Sequence, residues 1–153
     1  MISIRHAESE DFEFICSLSP VLAGGAKFGW HSSEVIQKFQ DNYISEMLEE
    51  TDQTHITLVA EKEGVALGFV HAREREDELS GEHCCTIPLL AVAENAQGKG
   101  VGKKLMEAVE TWSKEQGFRL LHLEVFATNN QAKGFYQELG FEEETLHMIK
   151  PLT

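Results

Sequence analysis

Apolar and polar positions along the chain change period several times, and each change marks an element. "ISIRHA" alternates residue by residue, as a short strand does. "SEDFEFICSL" then brings Phe12, Ile15 and Cys16 to helical spacing, with Ser9 placed to open a capping box and Pro20 placed to end the helix. "VLAGGAKFGWH" holds three glycines and predicts a loop. Next, "SSEVIQKFQDNYISEMLEE" repeats Val35, Ile36, Phe39, Tyr43 and Met47 on one helical face, with Ser32 or Ser33 as the cap. "HITLVAEKEG" and "VALGFVHARERE" predict two strands joined by a turn at Glu63-Gly64. "HCCTIPLLAVA" is apolar enough for a buried strand, and Pro88 inside it removes a ladder donor, so pairing should be interrupted there.

The clearest helix follows: Val101, Leu105, Ala108, Val109 and Trp112 share a face, and Gly117 stands where a C′ glycine belongs. "RLLHLEVFA" predicts a strand, "NNQAKGFYQELG" a short helix closed by Gly140, and "TLHMIKPL" a last strand. The order is β-α-α-β-β-β-α-β-α-β. It requires an α/β fold with a mixed sheet, because the hairpin is antiparallel while "IPLLAV", helix and "LHLEV" form a parallel crossover.

Size and charge narrow the function. A chain of 153 residues is expected to be a single domain spanning 1–153. A net charge of −13 argues against nucleic acid, whose binding rests on basic groups meeting phosphates. It favours solubility and a cationic or amine-bearing partner. The acidic runs "EMLEETD", "EREDE" and "FEEET" read as solvated turns and helix faces. No apolar run approaches the roughly 18 residues of a membrane span. Cys16, Cys84 and Cys85 are an odd number with no secretory signal, so reduced thiols in the cytoplasm are expected. "HCC" at 83–85 has no second Cys or His pair beside it in the sequence, so no metal is expected.

One stretch resists the bland reading. "QGKGVGKKL" places Gly98, Gly100 and Gly102 with Lys99, Lys103 and Lys104 between an apolar strand and a helix start. It is neither a Walker A loop nor a dinucleotide fingerprint, since Lys103 stands where each needs a glycine. It is either a flexible connection or a backbone cradle for phosphates, with helix N–H groups and positive charge facing outward.

"LLAVAENAQGKGVGKKLMEAVE" resembles motif A of the GCN5-related N-acetyltransferase (GNAT) superfamily, a strand ending in an L-A-V-like triplet and then Q/R-x-x-G-x-G/A, matched by Gln97, Gly100 and Gly102. "LEVFATNNQAKGFYQELGF" is similar to the family's second signature, with Leu123, Val125, Asn129, Ala132, Tyr136, Gly140 and Phe141 in place. The resemblance is close over residues 84–141. It implies a mixed, twisted sheet of about six to seven strands flanked by about four helices. It also implies an acetyl-CoA site. Leu90, Ala91 and Val92 would offer backbone groups to the pantetheine where two parallel strands splay. Gly98, Lys99, Gly100, Val101, Gly102 and Lys103 would wrap the pyrophosphate. Asn129 would hydrogen-bond the pantetheine arm. Homodimers are frequent in the family.

The reaction so implied is direct acetyl transfer to a primary amine of a small molecule or of a peptide or protein N-terminus. An N–H near Leu90 is the candidate oxyanion donor. Tyr136 is either a core tyrosine or the acid that meets the departing thiolate. Many relatives carry a glutamate two residues before the leucine of the triplet, and Pro88 stands there in this chain. Glu124 is then the candidate base, with His122, His83 or a water chain as alternatives. Phe28 and Trp30 either wall the acceptor cleft or anchor their loop. Rival functions are a non-catalytic acyl-CoA-binding module and a transferase for a longer acyl group.

Overall fold

A computed structural model describes residues 1–152. Its elements are β1 (Ser3–His6), α1 (Phe12–Ser17), α2 (Ser19–Ala23), α3 (Ser33–Glu49), β2 (His55–Lys62), β3 (Val65–Glu76), β4 (His83–Val92), α4 (Val101–Glu115), β5 (Leu121–Leu123) and α5 (Asn130–Glu138). The strands form one sheet in the order β1-β2-β3-β4-β5. Pairing is antiparallel up to β4, and β4 and β5 are parallel across the α4 crossover. The α/β class and the mixed sheet are therefore as expected.

Several details depart from the sequence reading. The sheet has five strands among the described residues, not six or seven. "TLHMIKPL" forms no strand, and Leu146 and Met148 of its alternating pattern are exposed. A strand pattern needs a neighbour to pair with, and β5, three residues long, supplies little edge. Pro20 does not end a helix but sits in the first turn of α2, where its missing N–H costs nothing and its fixed φ suits helix entry. The helical segment is thus split into α1 and α2 at Leu18. The capping box lies one residue earlier than Ser9: the Glu8 N–H donates to Asp11 Oδ2 at 2.8 Å, and Arg5 holds the same carboxylate with two bonds of 2.7 and 2.9 Å. Ser32 caps α3, accepting from Val35 N at 3.2 Å.

The core has two layers, one on each face of the sheet. Ile56, Leu58, Val70, Ile87, Leu105 and Val109 are buried on the α4 side. Ile15, Ile44, Val59, Phe69 and Leu89 are buried on the α1–α3 side. Strict alternation would send Ile87 and Leu89 to the same face. They go to opposite faces because β4 carries an extra residue: His71 pairs with Leu89, but Arg73 pairs with Thr86. The interruption expected at Pro88 is this bulge. No helix among the described residues is long and apolar enough to cross a membrane.

Candidate active site

Beside the bulge the sheet opens. On one side β4 stays paired with β3 as far as Val92, opposite Gly68. On the other side its pairing with β5 stops at Ile87, opposite Leu123. From Pro88 onward β4 has no strand on its β5 edge among the described residues. "RLLHLEVFA" forms only three residues of strand for this reason, since the parallel pair separates just after it begins. Leu90, Ala91 and Val92 lie along the open stretch. The Val92 carbonyl is already taken: Gln97 Nε2 donates to it at 3.2 Å, which pins the following loop to the strand end.

That loop leads into α4. Gly98 and Gly100 have φ of 79° and 82°, a region that L side chains rarely adopt. Gly100 is the N-cap residue of α4, so no side chain caps the helix, and no acidic residue lies in its first turn. The N–H groups there are left for an anion, with exposed Lys99, Lys103 and Lys104 beside them. Gly102 serves another purpose. A methyl in its place would meet the ring of Phe135 at 3.2 Å, so this glycine lets α5 approach α4. The Val101 side chain is buried in the core, which leaves only its main chain for a ligand.

The second signature packs against the start of α4 through Phe135 and under the loop after α2 through Asn129. Asn129 caps α5, its Oδ1 accepting from Ala132 N at 3.1 Å. A methyl on Gly25 would lie 2.2 Å from Asn129 Nδ2, so the loop after α2 crosses directly over this residue. Thr128 staples that loop down, donating to Gly25 O at 2.7 Å and accepting from Lys27 N at 3.2 Å. Phe28 stacks on Trp30 at 5.3 Å and meets Phe126 edge-on at 5.7 Å. These aromatics thus anchor the loop to the segment after β5, and Trp30 stays exposed. Tyr136 packs between Phe135 and Phe141, with ring centroids 5.3 and 5.7 Å away. Burial alone pushes its phenol up to about 12. It is half-buried against the α4-side core, and it keeps its proton at neutral pH.

Across the sheet, on the α3 side, a cleft of about 250 Å³ abuts the bulge, lined by Tyr43, Arg73, Arg75, Thr86, Pro88 and Glu124. Glu124, exposed just beyond β5, is the proposed base and the one sequence candidate found here. Burial raises the Tyr43 hydroxyl pKa, Arg73 and Arg75 pull it down, and Glu124 raises it, which places all four groups within electrostatic reach. Tyr43, Arg73, Arg75 and Thr86 were missed. Tyr43 reads as core stripe, Arg75 as part of the acidic run "EREDE" and Arg73 as an ordinary strand residue, yet their spacing of two in "HARERE" is a signal, since it sets both on one face of a strand.

The histidines beside the site have carboxylate partners: His83 Nδ1 with Glu74 at 2.5 Å, and His122 Nε2 with Asp77 at 2.9 Å. The fold also brings Asp77 and His122 to Cys84, with one ligand atom from each within 4.8 Å of the others. The sequence reading found no ligands near "HCC" because Asp77 and His122 arrive from other segments. Asp77 is already occupied, as Leu79 N and Ser80 N donate to its Oδ1 at 2.9 and 2.8 Å. Cys84 and Cys85 are fully buried, and desolvation pushes the Cys85 thiol up to about 11, so neither is an available nucleophile.

Comparison with known proteins fits this geometry. The chain is 24% identical over 144 residues to the uncharacterized N-acetyltransferase YhfO of Bacillus subtilis, covering 94% of this chain and 92% of that one. It is 34% identical over 83 residues to 5-NmdU N-acetyltransferase of Pseudomonas phage PaMx11, a match to 48% of this chain and 57% of the relative. Its fold resembles a putative acetyl transferase from Pyrococcus furiosus with a TM-score of 0.82 and 26% identity, covering 99% and 100% of the two chains. An aminoglycoside N-acetyltransferase in complex with CoA shares the fold at a TM-score of 0.71 and 23% identity, covering 99% and 95%. Residues 4–141 match the family described as Acetyltransferase (GNAT) family, and the chain belongs to it.

Proposed function

We propose that this protein is an acetyl-CoA-dependent N-acetyltransferase that passes the acetyl group directly to a primary amine. One observation carries the reading: the unpaired edge of β4 runs straight into an uncapped helix start reached through left-handed glycines. An extended pantetheine arm can pair with such an edge as a strand would, and a diphosphate suits the amides and lysines at its end. Leu90, Ala91 and Val92 would take the arm. Gly98 to Lys103 would take the diphosphate, with Gln97 holding the loop, and Asn129 and Ala132 would flank the arm from α5.

The donor brings an activated thioester, and the chain supplies the rest. The amine must be neutral to attack, so Glu124, at the mouth of the cleft, receives its proton directly or through water. An N–H near Leu90 faces the carbonyl oxygen as it gains charge. The C–N bond forms, the C–S bond breaks, Tyr136 delivers a hydrogen bond and then a proton to the departing sulfur, and the proton shed by the acylated nitrogen returns through water to restore the phenol. With its phenol at about 12, Tyr136 is always loaded with that proton, though a weaker acid than an ordinary tyrosine.

The absence of a glutamate at Pro88 favours a second reading, a module that binds acyl-CoA without turnover. Release of free thiol from acetyl-CoA, measured against polyamines, aminoglycosides, amino acids and peptide N-termini, separates the two. The expected result is amine-dependent release with at least one class. Tight acetyl-CoA binding with no release across the panel would establish the module instead. Parallel titration with longer acyl-CoAs tests the acyl chain.

A further inference from the structure

The acidic chain suggests a cationic acceptor, but the cleft beside the bulge is built differently. Arg73 and Arg75 stand two residues apart on β3 and face the same side of the sheet. Both line the cleft, with Tyr43 and Thr86 contributing hydroxyls and Glu124 a carboxylate. The register explains the convergence: Arg73 lies opposite Thr86, Thr86 lies opposite His122, and Glu124 follows two residues later on that face.

The guanidiniums are only partly used by the protein. Arg73 Nη1 bonds Glu50 at 2.5 Å, but Arg73 Nε is buried with no hydrogen-bond partner. A buried donor left bare is costly and is usually explained by a missing ligand atom or water. Arg75 reaches only Glu78, at 3.7 Å and through a side chain 87% exposed, a contact too long and too wet to occupy it. Arg75, whose fork has no close partner among the described residues, matches the oxygens of a carboxylate or phosphate, and Arg73 adds positive charge beside it. Glu124 stands in the same cleft as the natural partner of an ammonium group.

We infer that the acceptor is a small amine that also bears an anionic oxygen group, a carboxylate or a phosphate, with that group held by Arg75 and Arg73 and its amine directed to Glu124. This rests on the acetyltransferase reading above and narrows its substrate class. Arg75 and Arg73 are binding residues in this scheme, and they set specificity rather than chemistry.

The test compares matched amines with acetyl-CoA: free α-amino acids, their methyl esters, aminoalkyl phosphates, and polyamines and aminoglycosides as cationic controls. The free acids or the phosphates should exceed the esters and controls in kcat/KM by roughly 10- to 100-fold, the worth of a charge-assisted hydrogen bond. The two anionic arms tell carboxylate from phosphate. Arg75→Gln should erase that preference by raising KM for the anionic amine about 10- to 100-fold more than KM for its ester, and Arg75→Lys should restore part of it. Esters or cationic amines turned over as well as the free acids would overturn the inference and leave acetyl transfer standing. If no amine is acetylated, the enzyme reading fails, and calorimetric titration of amino acids and aminoalkyl phosphates decides the site alone. Saturable binding lost in Arg75→Gln upholds it, and absence of binding overturns it.

Discussion

The two flanks of β4 are built from different materials. On the α4 side the candidate donor site is almost all main chain: an open strand edge, left-handed glycines and helix amides. On the α3 side the candidate acceptor cleft is almost all side chain, gathered from α3, β3, β4 and the residue after β5. A backbone site depends on where side chains are missing, so it tolerates few substitutions and leaves a fixed spacing of glycines. A side-chain site depends on which groups happen to meet, and it can be rewritten one residue at a time without disturbing the fold.

The contrast can be broken from either flank. Tyr136→Phe should lower kcat by about 10²–10⁴-fold while acetyl-CoA affinity is retained, since only the proton donor is lost. Steady-state kinetics with calorimetry checks this, and an unchanged kcat would return Tyr136 to a purely packing role. Glu124→Gln should cost about 10²-fold in kcat/KM for the amine, the lower end of the range for a positioned base. The loss should shrink at higher pH, where more of the amine is already neutral, and a pH-rate profile that keeps its wild-type shape would shift the base elsewhere.

Gly100→Val tests the other flank. No atom lies within 4 Å of where its Cβ would stand, so the effect comes from the φ of 82° and not from crowding. Strain of about 1–3 kcal/mol on the helix entry should weaken acetyl-CoA binding by roughly 10- to 100-fold. Wild-type affinity in that variant would place the diphosphate away from α4.

The smallest effect is on stability. His71, on the same face of β3 as Arg73, is buried, and desolvation lowers its pKa from 6.5 to about 4. The unfolded chain then binds more protons between those values. Its contribution to stability is therefore complete above about pH 6.5 and lost as pH falls towards 4, with a slope of at most about 1.4 kcal/mol per pH unit. Urea midpoints across that interval, flatter in His71→Gln than in the wild type, would confirm the assignment.

The same division governs what was legible in the sequence. The α4 stripe, the hairpin turn, the Ser32 cap and the break near Pro88 are local, and each follows from neighbours in the chain. The left-handed turns at Gly98 and Gly100 and the Asn129 cap are likewise local, each set within one strand-helix unit. Pro20 misled because proline opens a helix as readily as it ends one. The strand predicted at "TLHMIKPL" failed because pairing needs a partner that the pattern does not contain. Arg73 and Arg75 were overlooked because the β3–β4 and β4–β5 registers together bring them to Glu124, and Tyr43 because it arrives from α3. Asp77 reached Cys84 and His122 in the same unannounced way.

The burial of Cys84 and Cys85 has a practical consequence. Cys16 is the one thiol of the folded chain that is partly open to reagent, while the other two are sealed inside β4. A disulfide dye added to the enzyme therefore counts liberated coenzyme against a small, fixed background. Slow labelling of the two inner sulfurs afterwards clocks how often that strand breathes, and comparing the clock with and without donor measures how firmly an occupant along its edge locks the sheet.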